Sequence, residues 1–216
     1  MGRPIAFFDF DGTLIRGDSL FLFLHQVRGT PRFLLDLIAT SPWLGAYALR
    51  LVANDRAKEA LLKQTLAGLP LDYLKEHGKR FAKQVIPKLL RAEIMDRLHH
   101  HQAQGHMCVL VSASLDLYLD PWGAANGFEY RLTSKLAMDD KGRTTGKLHG
   151  ANCFGPEKVN RILDLLHRTG TPSRTYGYSD STSDLPMLKL VDEAYLVGKR
   201  GIHPVNWAPR ITRDFP

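Results

Sequence analysis

Only two cysteines occur in 216 residues. That is too few for the disulfide framework of a small secreted domain. Neither Cys108 nor Cys153 has a metal-ligand spacing, so both are expected as plain core or surface thiols in a reducing, cytoplasmic setting. Long apolar runs are also missing. The longest uncharged one, residues 37–49, is interrupted by Ser41-Pro42 and falls short of the roughly 20 residues a membrane span needs. The first residues, Met1-Gly2-Arg3-Pro4-Ile5, carry no secretory apolar stretch before the first acids. No internal repeat or low-complexity tract appears, which argues against repeat architectures and biased, unfolded tracts. Acidic side chains are in deficit: 22 Asp and Glu against 29 Lys and Arg give a net charge of +7. This surplus suits an anionic partner without choosing among phosphate esters, nucleic acid and anionic lipid.

What is present is a globular composition, 44% hydrophobic and 24% charged. The length allows one domain, or one domain with an insertion. Ile5-Ala6-Phe7-Phe8-Asp9-Phe10 reads as a buried parallel strand closed by Asp11-Gly12-Thr13. Residues 19–101 lack strand alternation and repeat their apolar positions at three and four. This predicts helices broken at Gly29-Thr30-Pro31, Ser41-Pro42, Asn54-Asp55, Gly68-Leu69-Pro70 and Ile86-Pro87. His106-Met107-Cys108-Val109-Leu110-Val111 predicts a second buried strand, ending at Ser112-Ala113-Ser114, with a helix over 115–126. Residues 129–138 and 144–149 flank a polar turn as the arms of a β-hairpin. Gly155-Pro156-Glu157 opens a helix. Residues 174–178 and 194–197 read as strands around a helix over 181–191. Strands alternating with helices predict an α/β chain with a parallel sheet. Its core is expected at 1–16 and 102–216, with an all-helical cap, 17–101, inserted after the first strand.

Three polar clusters directly follow apolar strands: Asp9/Asp11, Ser112 and Asp180/Asp184. In an open α/β sheet the carboxyl ends of the strands form the ligand crevice, so the three should converge. Asp9 and Asp11, two apart on an extended segment, are expected on one side. Like charges held together call for a cation or a shared proton. Mg²⁺ suits them, since it binds through one or two carboxylates plus substrate phosphate. The Asp11-Gly12-Thr13 turn exposes backbone N–H groups that can hold phosphoryl oxygens, and Ser112 precedes a helix start, another phosphate site. Lys158 supplies a fixed positive charge.

Phe8-Asp9-Phe10-Asp11-Gly12-Thr13-Leu14, Leu110-Val111-Ser112, Lys158 and Gly177-Tyr178-Ser179-Asp180-Ser181-Thr182-Ser183-Asp184 resemble, in order, the four motifs of the haloacid dehalogenase superfamily. The helical block resembles a C1-type cap, and the chain is most similar to subfamily IB, the phosphoserine-phosphatase-like branch with a Rossmann-like core. The resemblance implies a Mg²⁺-dependent phosphomonoester hydrolase. Asp9 would be the nucleophile forming an aspartyl-phosphate, and Asp11 the general acid and base. Mg²⁺ would be held by Asp9, Asp180 and the backbone carbonyl of Asp11. Ser112 and Lys158 would stabilise the phosphoryl group, with Gly12, Thr13 and Ala113 beside it. Asp184 would order Lys158 or a water on the metal. The implied substrate is a small phosphorylated metabolite such as a phosphoserine-like ester.

Asp18 stands near the place of a cap-entrance acid that binds the substrate amine, and it equally suits the N-cap of the next helix. Arg56 and Lys58 are the nearest candidates for a substrate carboxylate. Ala113-Ser114 stands where those phosphatases carry Gly-Gly. His99-His100-His101 and His106 are expected as a solvated helix end, because consecutive positions point around a helix. Residues 31–53, apolar with Arg32 and Arg50 at their ends, suit packing within the cap. The alternative is an interfacial surface on anionic lipid at the inner membrane face. Some enzymes of the branch dephosphorylate phosphatidylglycerophosphate, so a lipid phosphatase is the runner-up. Lys199-Arg200, Trp207, Arg210 and Arg213 would support membrane or nucleic-acid contact. No aromatic–basic pattern of an RNA-binding module appears, so nucleic acid is not expected. A non-catalytic anion-binding protein is the reading from another class. The oligomeric state is open at this level.

Overall fold

β1 (Ile5–Phe8) is buried along its whole length, as consecutive apolar residues require of a strand covered on both faces. Its side chains part by alternation: Ala6 and Phe8 enter one apolar cluster, Ile5 and Phe7 the other. The computed structural model describes residues 2–205, so Trp207, Arg210 and Arg213 lie outside the described residues. β1 pairs in parallel with β2 (Met107–Leu115) and with β6 (Thr175–Ser179). β3 (Tyr130–Ser134), β7 (Glu193–Gly198) and β8 (Gly201–Val205) complete a sheet of order β3-β2-β1-β6-β7-β8. Its neighbours are parallel except β7 and β8. This is the expected α/β architecture, with an antiparallel edge strand that the sequence reading lacked. Phe8, Tyr178 and Tyr195 are register partners across β1, β6 and β7. Their rings stack 4.7 and 4.9 Å apart, the spacing of the strands themselves.

Five helices stand between β1 and β2: α1 (Ser19–Arg28), α2 (Thr30–Ala48), α3 (Asn54–Leu66), α4 (Leu71–Gln84) and α5 (Ala92–Ala103). α6 (Asp116–Ala125) follows β2, α7 (Pro156–Thr169) precedes β6, and α8 (Leu185–Leu190) precedes β7. α7 and α8 cover one sheet face with Ile162, Leu165 and Leu188. The other face shares one apolar cluster with the inserted helices, from Phe8 and Trp122 to Phe23, Leu62 and Phe81.

Four local expectations change. α2 runs through Pro42 without a break. Proline leaves the carbonyl four residues back without its N–H partner, and here the Ser41 hydroxyl donates to Ile38 O at 2.8 Å in its place. The expected hairpin arm at 129–138 is divided. β3 joins the main sheet, and only β4 (Leu136–Met138) pairs antiparallel with β5 (Thr144–Leu148). β2 continues past Val111 to Leu115, with a register shift between these two residues. Ser112-Ala113-Ser114 is therefore the irregular end of a strand rather than a loop. Finally, His101 is buried rather than solvated. Its Nε2 shares a hydrogen bond with the Tyr178 hydroxyl at 2.9 Å, and its Nδ1 one with His106 at 2.8 Å.

Candidate active site

A cavity of about 760 Å³ lies over the ends of β1, β2 and β6. Asp9, Asp11, Ser112, Ala113, Lys158, Asp180 and Asp184 line it from the sheet side. The inserted helices add Leu20, Phe21, Leu44, Tyr47, Lys58 and Leu61. The convergence expected of polar residues after buried strands is thus present.

Asp9 is 6% exposed, and both of its oxygens are held. Lys158 Nζ donates to Oδ1 at 2.6 Å, and the Thr13 hydroxyl donates to Oδ2 at 3.0 Å. The same ammonium donates to Asp184 Oδ2 at 2.6 Å, and Ser179 Oγ donates to that oxygen at 2.7 Å. Burial pushes the Asp9 carboxyl up to about 7, against the pull of Lys158. Burial alone would lower Lys158, but Asp9 and Asp184 outweigh it and hold the ammonium above the ordinary lysine value.

Asp11 has different partners. Its Oδ1 accepts from Ser19 N at 2.6 Å, and its Oδ2 accepts from the Ser114 hydroxyl at 2.5 Å. Asp9 and Asp11 do line one cavity, though not through strand alternation. β1 closes at Phe8, and each carboxylate is fixed by its own donors. Burial, then the Asp18 charge, raises Asp11 to about 6. Ser19 Oγ lies 3.1 Å from Ser114 Oγ and 3.0 Å from the Tyr118 hydroxyl, so a buried chain of hydroxyls backs this carboxyl. Sequence reasoning did not select Ser19, Ser114 or Tyr118. Ser112 Oγ accepts from Ser114 N at 3.1 Å, which fixes the end of β2.

The cap candidates separate. Lys58 Nζ donates to Ala113 O at 2.5 Å and to Asn152 Oδ1 at 2.8 Å. Asn152, also missed, is anchored by Ser134 and Asn54. Burial pushes Lys58 down to about 8, with Asp11 and Asp18 opposing. Arg56 is exposed and does not line the cavity, so the structure does not bring it to the site. Positions two apart on a helix point about 200° apart, which is why only one of the pair faces inward. Asp18 caps α1 by accepting from Phe21 N at 3.1 Å, the second of its two expected roles, and it also lines the cavity. Thr13 is fully buried and binds Asp9 and Asp180 instead of lining the cavity. Gly12 does line it, at φ 76°.

Among the described residues, no three His, Cys, Asp or Glu side chains gather into a metal cage. The donor chemistry nevertheless fits Mg²⁺, which needs few protein carboxylates. Thr13 Oγ1 lies between Asp9 Oδ2 at 3.0 Å and Asp180 Oδ1 at 3.4 Å. A Cβ on Gly12 would lie 2.0 Å from Asp180 Oδ2, so the carboxylate rests directly on the turn backbone. Burial also raises Asp180, and a nearby cation would relieve this crowding of negative charge.

The haloacid dehalogenase-like hydrolase family model matches residues 6–189. Protein CicA of Caulobacter vibrioides is 33% identical over 187 residues, 86% of this chain and 82% of CicA. A histidinol-phosphatase of Neisseria meningitidis is 28% identical over 204 residues, 90% of each chain. A phosphoserine phosphatase solved as an analogue of its phospho-aspartyl intermediate has the same fold. Its TM-score is 0.63 at 17% identity, covering 88% of this chain and 83% of that one. The family match begins inside β1, ends within α8 and takes in every strand end that lines the cavity: the chain belongs to the haloacid dehalogenase-like hydrolases.

Proposed function

We propose that this hydrolase is a phosphatase cleaving phosphate monoesters, with Asp9 as nucleophile and Asp11 as proton carrier. The observation that carries the reading is the separate fixation of two carboxylates, the buried Asp9 by Lys158 and Thr13, the half-buried Asp11 by Ser19 and Ser114. An anion-binding protein has no use for such a division.

An Asp9 oxygen attacks phosphorus, and the ester P–O bond breaks. Asp11 gives its proton to the departing oxygen, so an alcohol leaves and an aspartyl-phosphate remains. A water then attacks phosphorus and yields its proton to Asp11. The bond to Asp9 breaks, inorganic phosphate leaves and both side chains return to their starting states. Asp11, raised to about 6, exchanges a proton near neutral pH as this requires. Lys158 and Ser112 face the charge on the transferring group, where fixed donors in a site shielded from water act most strongly. Mg²⁺ when bound, through Asp9, Asp180 and the Asp11 carbonyl, would offset phosphate charge and favour the ionised carboxylates. In this reading residues 1–16 and 102–216 carry the chemistry, and 17–101 choose the substrate.

The substrate is a small phosphorylated metabolite. In this reading Asp18 takes a cationic group and Lys58 an anionic one, a combination suited to phosphoserine-like esters. The histidinol-phosphatase relative directs attention to amino-alcohol phosphates as well. A lipid phosphate is the second reading, favoured by the apolar wall of Leu20, Phe21, Leu44 and Leu61.

The test is phosphate release from phosphoserine, histidinol phosphate and a micellar lipid phosphate, with and without Mg²⁺. Asp9→Asn should lose activity by a factor on the order of 10⁴ or more. Equal rates in the wild type and this variant refute the mechanism, and the substrate ratio decides between the two readings.

A further inference from the structure

α2 has polar contacts inside and an apolar face outside. Its inner side is tied to the protein: Asp36 is 2% exposed and accepts from Arg28 at 2.7 Å and Gln64 at 2.9 Å. Its outer side is apolar. Leu34, Leu35 and Ile38 are 54%, 65% and 70% exposed, and Leu49 and Leu51, just past the helix, 72% and 74%. Among the described residues nine large hydrophobic side chains are exposed, and seven of them fall between positions 34 and 51. Scattered apolar residues are normal on a surface, whereas a contiguous set marks an interaction site.

The charge on this segment has one sign. Residues 29–54 contain Arg32, Asp36 and Arg50 as their charged side chains. Asp36 is buried and paired, so the exposed charges are two arginines, one near each end of the helix.

We propose that the outer face of α2 is an interfacial docking surface for an anionic bilayer. The helix lies flat, with Leu34, Leu35 and Ile38 reaching below the headgroups and Arg32 and Arg50 among the lipid phosphates. This is the arrangement of an amphipathic helix resting in the interface. It lies on the bilayer and does not cross it. No helix among the described residues is long and apolar enough to span, and the inner side stays bound to α1 and α3. A second copy of the chain fits less well. A symmetric contact through this face would bring arginines of one copy against arginines of the other. A nucleic acid would require a basic face with few leucines. The docking does not depend on the proposed reaction, although Leu44 and Tyr47 of the same helix line the cavity.

The test is co-sedimentation of the full chain with phosphatidylcholine vesicles, with and without phosphatidylglycerol, over a range of NaCl. Urea unfolding checks that each variant is folded. Wild type should bind the anionic vesicles more tightly, and salt should weaken that preference. Leu35→Gln with Ile38→Gln should reduce binding to both vesicles about tenfold per side chain. Arg32→Gln with Arg50→Gln should reduce binding to anionic vesicles alone, by about fivefold per arginine. Absence of vesicle binding overturns the proposal, as does binding that the apolar pair leaves unchanged. A wild-type dimer in sedimentation equilibrium that the apolar pair dissolves also overturns it, because a second copy then covers the face.

Discussion

Lys158→Met tests the centre of the site most directly. The ammonium is 2% exposed and lies 2.6 Å from both Asp9 Oδ1 and Asp184 Oδ2. Methionine fills similar space but leaves two buried carboxylates facing each other without a cation. Removing one partner of a buried ion pair destabilises a protein by about 3–5 kcal/mol. With a urea slope of roughly 2 kcal/mol per molar, the unfolding midpoint should fall by about 2 M, measured by far-ultraviolet circular dichroism without Mg²⁺. The loss should depend on pH. Asp9 already sits at about 7 with the lysine present, and without it the ionised form is disfavoured further. A carboxyl raised in the folded state is penalised above its folded value and not below the unfolded one near 3.9. The deficit should therefore grow as pH rises from 5 to 8. Adding Asp9→Asn removes one of the opposed charges, so the double variant should recover about 2 kcal/mol relative to additivity. A Lys158→Met protein within about 1 kcal/mol of wild type at pH 8 would refute the picture of a buried, charge-balanced triad, since that picture rests on the penalty in.

Two further outcomes follow from buried bases. Lys58, pushed down to about 8, is cationic below that value and neutral above it. In steady-state kinetics with an anionic ester, KM should rise as pH increases through about 8. Lys58→Met should raise KM about tenfold, remove the pH step and leave kcat nearly unchanged; a fall in kcat alone would count against a binding role. His101 is pushed down to about 4 by burial, then by His106 and His100, so the fold favours its neutral form. That contribution, up to roughly 3 kcal/mol, is full above the unfolded value of 6.5 and is lost as pH falls toward 4. His101→Gln should flatten that part of the stability profile, and an unchanged profile would mean His101 does not drive it.

The polar residues of the site were readable because a buried parallel strand is written as consecutive apolar residues, and the polar residues that break the run mark where the strand opens on the cavity. That rule found Asp9, Ser112 and Asp180. Contacts made across the chain left no local trace. Ser114 reaches Asp11 across 103 positions, and Asn152 reaches Lys58 across 94. The pairing of β3 with β2 was hidden for the same reason, since a strand does not name its partner. His101 was readable in principle. Ile94, Leu98 and His101 are all buried on α5, and their spacing of four and three continues the helix stripe that the run of histidines obscured. The uninterrupted α2 depends on one hydroxyl, Ser41, standing in for a missing N–H, a compensation that no propensity records.

The stack of Phe8, Tyr178 and Tyr195 has a consequence for how such a protein can diversify. Asp9 follows the first ring, and Ser179-Asp180 follows the second, although 170 positions of chain separate the two rings (178 − 8). The hydrogen-bonded pairing of β1 with β6 sets the distance between these two segments independently of what lies between them in sequence, and the rings pack at that spacing. Helices can be lengthened, exchanged or resurfaced in the intervening stretch while the reacting groups keep their separation. The chemistry and the choice of substrate can then change at different rates, because the part that must stay constant is held by the register of the sheet rather than by the cap.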